Sequence, residues 1–81
     1  MPALSPTSWK EFEKFLLFIG CIFKRQSGGH RIYHRVGLKR PIVIPAHGTI
    51  PVFVIRNNLR LLGITPEAYF EILKRKKTKA S

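Results

Sequence analysis

The apolar positions divide the chain into stretches with different periods. Trp9, Phe12, Phe15, Leu16 and Ile19 recur at helical spacing and form one apolar stripe. Ser8-Trp9-Lys10-Glu11 precedes that stripe with the spacing of a capping box, in which hydroxyl and carboxylate each satisfy an orphan N–H. Gly20 supplies a left-handed stop. A helix is therefore predicted from Ser8 to Gly20. Short β-type runs follow. Cys21–Gln26 reads as a strand, Ser27-Gly28-Gly29 as a tight turn and His30–Arg35 as the returning strand. Val36–Arg40 is a second connection, and Ile42-Val43-Ile44 is a third strand between Pro41 and Pro45, where no ladder N–H is needed.

The stretch Ile50–Leu62 carries two signals. Val52, Phe53, Val54 and Ile55 are locally β-forming, yet Val52, Ile55, Leu59 and Leu62 repeat at helical spacing, with Pro51 suited to the start and Gly63 to the end. The longer pattern predicts a helix. Thr65-Pro66-Glu67 starts another, over about residues 68–76. The fold class is thus α+β: helix, three-stranded antiparallel meander, helix and a short extra C-terminal helix, with the helices covering one face of the sheet. The whole of 1–81 is one domain, with 1–7 expected to be a flexible lead-in and 77–81 a flexible basic tail.

A domain of 81 residues buries only about 60–65% of the surface its unfolded chain exposes, so its stability is expected to be modest. The hydrophobic share of 44% fits a globular chain, and the longest apolar runs are too short to cross a bilayer. No secretion-type leader is apparent, so a cytoplasmic location without membrane contact is expected. The single cysteine, Cys21, excludes an internal disulfide and follows Gly20 in an apolar setting, where it reads as core.

Charge adds the strongest functional signal. Fifteen Lys and Arg against four acids give +11. The excess is concentrated in 24–40, where Lys24, Arg25, Arg31, Arg35, Lys39 and Arg40 have no acid among them. Such a field draws polyanions and releases counterions from phosphates, which favours a nucleic acid or an acidic protein partner over a membrane surface. No helix combines a basic face with a helix-turn-helix turn, which disfavours DNA. The basic C-terminal stretch has a simpler explanation, because cations at a helix C-terminus are favoured by the dipole.

Candidate chemistry narrows by subtraction. Glu11, Glu13, Glu67 and Glu71 all fall in predicted helices at the two ends, so no carboxylate pair or magnesium cluster serves the basic centre. No phosphate-loop or dinucleotide fingerprint is present, and no cofactor or metal is expected. Three histidines remain. His30 follows the glycine turn among Lys24, Arg25 and Arg31, a setting that suits proton transfer at an RNA 2′-hydroxyl with cations stabilising the phosphorane. His34 shares strand parity with His30 and Ile32. If Ile32 is core, Arg31, Tyr33 and Arg35 form the outer face; if Tyr33 is core, the histidines do. His47 lies in a loop, and Trp9 and Tyr33 read as packing residues.

The run Lys24-Arg25-Gln26-Ser27-Gly28-Gly29-His30-Arg31-Ile32-Tyr33, then Ile42-Val43-Ile44-Pro45-Ala46-His47, then a helix ending Leu62-Gly63-Ile64, resembles the HicA-type toxins of bacterial toxin–antitoxin pairs. The likeness extends from the first helix to Phe70. It implies a double-stranded-RNA-binding-like fold and a metal-independent mRNA interferase with His30 as the catalytic residue. From charge and spacing, Gly28 and Gly29 are expected to form the structural turn at the site, Arg25 and Arg31 to position phosphate, and Lys24, Lys39 and Arg40 to widen the electrostatic footprint for RNA. The likeness also implies a HicB-type antitoxin, acidic where it meets the basic hairpin. One departure stands out: the family's hallmark serine before the histidine is Gly29 here.

Overall fold

The computed structural model describes residues 3–80, with side chains as far as residue 75. The side chains of the basic stretch 77–81, expected to form a flexible tail, lie outside the described residues. Eight elements follow in order: β1 (Thr7–Ser8), α1 (Trp9–Phe18), β2 (Ile22–Ser27), β3 (His30–His34), β4 (Ile42–Pro45), β5 (Thr49–Ile50), α2 (Val52–Leu62) and α3 (Pro66–Ala80). The main sheet has the order β2-β3-β4, all antiparallel, so the expected α+β arrangement of helix, three strands, helix and extra C-terminal helix is present.

The apolar stripe on α1 explains its docking. Phe12, Phe15 and Leu16 are fully buried, with Trp9 and Ile19 packed against their margin. Ser8 caps the helix by accepting from the Glu11 N–H at 3.3 Å. Only half of the expected capping box forms, because the Glu11 carboxylate pairs with Lys14 instead. The sheet contributes Tyr33, Ile42 and Ile44 to the same core, α2 contributes Ile55, Leu59 and Leu62, and α3 contributes Tyr69, which meets Phe15 edge-on at 4.8 Å.

In α2, helical period prevails over local β preference. A helix can bury Ile55, Leu59 and Leu62 together while its backbone pairs internally, and no neighbouring strand is required. Pro51 sits at the N-cap, and Gly63 closes the helix with φ +72°, its N–H donating to the Arg60 carbonyl. Two details depart from the sequence expectation. Part of the lead-in is structured: Leu4 packs on the core and Thr7 pairs with Ile50 in a two-stranded ribbon. The first strand of the meander runs Ile22–Ser27 rather than Cys21–Gln26. Cys21 itself is buried, and burial pushes its thiol pKa up, with Arg35 acting weakly in the opposite direction.

Candidate functional site

The site is built by the β2–β3 hairpin. Ser27 pairs with His30 across a two-residue Gly28-Gly29 turn. Gly28 has φ +58°, a conformation that costs an L-residue energy and that glycine adopts freely at the first position of a tight hairpin turn. The Gly29 carbonyl accepts from the Ala46 N–H at 2.7 Å, which ties the turn to the end of β4. His30 therefore starts β3 opposite Pro45, and its side chain is exposed.

Strand parity then sorts the residues by face. Tyr33 is fully buried beneath the helices, and Arg31 shares its side of β3. The histidines consequently occupy the outer face, with His30, Ile32 and His34 in one row beside Val43 and Pro45. The register shifts between Phe23 and Arg25, so Phe23 pairs with Tyr33 whereas Arg25 pairs with Ile32. This bulge puts two residues of like strand parity on opposite faces. Phe23 meets the ring of Tyr33 at 5.8 Å, and Arg25 joins the histidines outside.

The cations singled out in the sequence separate accordingly. Lys24, Arg25 and Lys39 line one shallow groove of about 410 Å³ with Ile32 and His34. Arg40 lies in the adjoining depression with Lys39 and Arg60. Arg31 differs. Its Nη2 donates to Glu13 at 2.8 Å, its Nε to Glu13 and to the Tyr33 hydroxyl at 3.1 Å each, and its Nη1 to Gln26. The guanidinium also lies 3.9 Å from the Phe23 ring centre and 5.3 Å from that of Trp9. Arg31 thus clamps the hairpin to α1 on the face away from His30, whereas its place in the sequence predicts that it positions phosphate at His30. Within this cluster Tyr33 O–H donates to Glu13, and burial together with that carboxylate pushes the phenol pKa up to about 12.

A larger groove, about 640 Å³, opens directly beside His30. Its sheet wall is His30, Val43 and Pro45, and its other wall is α2, including Phe53, Arg56, Asn57 and Arg60. Sequence reasoning did not mark these α2 residues. A signal was present: the acid-free stretch does not stop at residue 40 but runs from Lys14 to Pro66, so Arg56 and Arg60 belong to the same uncompensated charge. Asn58 is buried and donates to the Val43 carbonyl at 3.4 Å, which helps hold α2 against the outer edge of β4. His47 is exposed in the turn between β4 and β5 and is not among the residues lining that groove.

Among the described residues no group of three His, Cys, Asp or Glu side chains converges to hold a metal ion, and no helix is long and apolar enough to cross a membrane. No match was found among curated proteins or among solved structures. A family profile described as "HicA toxin of bacterial toxin-antitoxin" matches residues 9–64, from the first residue of α1 to just past the cap of α2. That segment contains the hairpin, the outer sheet face and both walls of the groove beside His30. The chain belongs to the HicA toxin family of bacterial toxin–antitoxin systems.

Proposed function

We propose that this toxin is an endoribonuclease, an mRNA interferase that cleaves without metal and uses His30 as general acid or base. The observation that carries this reading is the exposed imidazole at the head of a glycine-turned hairpin, on a sheet face that gathers Lys24, Arg25 and Lys39. In the reaction His30 takes the proton of a ribose 2′-hydroxyl. The freed oxygen attacks the adjacent phosphorus, the bond to the 5′-oxygen breaks, and that oxygen takes a proton from water while the imidazolium of His30 returns its own to solvent. Products are a 2′,3′-cyclic phosphate and a 5′-hydroxyl end. Arg25, with Lys24, Lys39 and Arg40 around it, offsets the charge that builds on the phosphorane. Arg31 contributes through the clamp to α1 rather than by direct contact. The cognate antitoxin is of HicB type in this reading and presents acidic groups to the same face. Action in the cytoplasm, where mRNA lies, follows from the substrate.

The test is His30→Ala. General acid–base chemistry contributes on the order of 10²- to 10⁴-fold, so this variant should lose cleavage of labelled RNA in chelator, and growth inhibition, by at least that factor. Its melting temperature should be unchanged because the side chain is exposed. Undiminished cleavage would remove His30 from the mechanism. A second reading, an RNA-binding module of the same fold that does not cleave, draws on Gly29 in place of the hallmark serine. RNA retention without cleavage by the unmodified protein would favour it. The departure is not forced by packing: a Cβ at Gly29 meets nothing within 4 Å, and its φ is not in the left-handed region.

A further inference from the structure

The α2 wall of the groove holds more than the fold requires. Phe53 is 71% exposed, in the first turn of α2, and contributes nothing to the core. Arg56 and Arg60 stand four residues apart on an exposed surface, a spacing at which like charges repel, and α2 has no acid to offset them. The macrodipole favours Arg60 near the C-terminus but does nothing for Arg56 at mid-helix. Asn57 is exposed, while its neighbour Asn58 supplies the bond to β4. A lone exposed phenylalanine needs no explanation. Here, however, aromatic ring, amide and two guanidinium groups line the same groove as the imidazole of His30.

We infer that this face of α2 is a nucleotide subsite for single-stranded RNA, in which Phe53 stacks on one unpaired base beside the cleaved linkage. Asn57 donates to and accepts from the edge of that base, and Arg56 and Arg60 hold the flanking phosphates. The chemistry selects single strands, because the π-face of a paired base within a duplex is already covered by its neighbours. It also fits in-line attack by the 2′-hydroxyl, which requires a linkage free to rotate. This inference rests on the nuclease reading of His30. It adds a substrate class and a preference for one base position next to the cut.

The experiment uses the full chain in a His30→Ala background, which binds without cutting, with short fluorescent oligoribonucleotides offered as single strand or duplex. Base stacking on an aromatic residue, judged by alanine substitution, corresponds to about a 5- to 150-fold change in affinity. Phe53→Ala should weaken single-strand binding by that range, Phe53→Trp should retain it, and duplex binding should be unaffected by either. Arg56→Ala and Arg60→Ala should each lower the salt slope by roughly one phosphate contact whatever the base. Equal single-strand affinity in Phe53→Ala, or an equal loss on duplex, overturns the subsite. So does a Phe53→Ala variant that binds RNA normally but no longer holds the co-expressed antitoxin, since the face would then serve a protein. Cleavage assays in the His30 protein keep the two readings apart. If His30→Ala abolishes cleavage and Phe53→Ala leaves it unchanged, only the subsite fails; if the parent neither binds nor cuts RNA, both fail.

Discussion

Replacing Tyr33 by phenylalanine isolates the clamp that anchors the β2–β3 hairpin to α1. The ring is fully buried, and the hydroxyl donates to Glu13 at 2.5 Å while accepting from Arg31 at 3.1 Å. Bonds to charged partners contribute about 1.5–3 kcal/mol. Glu13 keeps two donors from Arg31, so no charge is orphaned and the cost belongs at the lower end, about 1.5 kcal/mol. For a domain of this size that lowers the melting temperature by about 6–12 °C. The deficit should also depend on pH. Burial and the neighbouring carboxylate push the folded phenol up to about 12 from its ordinary value of 10.0. A raised folded pKa stabilises the fold fully below the unfolded value, and that stabilisation disappears as pH climbs from the unfolded toward the folded pKa. With solvent reaching Glu13 and Arg31, whose side chains are 21% and 20% exposed, the parent should lose roughly 1–2 kcal/mol over this interval. Phenylalanine has no such loss, so the two proteins should become nearly equal in stability within that alkaline window. Tyr69, also raised by burial, is common to both and cancels. Urea titrations in the His30→Ala background, from neutral pH into that window, measure the gap. A gap that stays constant with pH, or none at neutral pH, refutes the clamp as described.

Four further outcomes follow from the sorting of residues by face and from turn geometry. Arg25→Ala should reduce the salt slope of RNA binding by about one contact with little change in melting, whereas Arg31→Ala should depress melting and leave that slope intact. Gly28→Ala forces an L-residue to φ +58° and should cost about 1–2 kcal/mol in chemical denaturation. Gly29→Ser meets open space and should melt at or slightly above the parent temperature, since it also restricts the unfolded chain; a large drop would contradict the turn geometry.

Much of the fold was legible because its elements have local signatures. Ser8 and Gly20 bracket α1, the paired glycines mark the hairpin, and Pro51 and Gly63 bracket α2. The β1–β5 ribbon was not legible, since two-residue strands have no period to read. Nor was the bulge at Phe23–Arg25, because nothing local distinguishes an extra residue from a change of face. The same limit hid the role of Arg31: its partner Glu13 lies 18 positions away on a helix, and only packing brings them together. His30 could be picked out from its neighbours in sequence, whereas the acid-free stretch marked Arg56 and Arg60 only as charge and not as the second wall of its groove, because α2 arrives there through the tertiary fold.

Among the described residues strand β2 has a neighbour on one side only, and all six of its residues are exposed. An open edge carrying Ile22 and Phe23 would ordinarily invite a second copy to add its own strand. Lys24 and Arg25, at a kink that breaks the flat ladder, set like charge against like charge for any such approach. The cations proposed to hold RNA thus also oppose strand addition along this border. Substituting them to weaken RNA binding should therefore lower solubility as well.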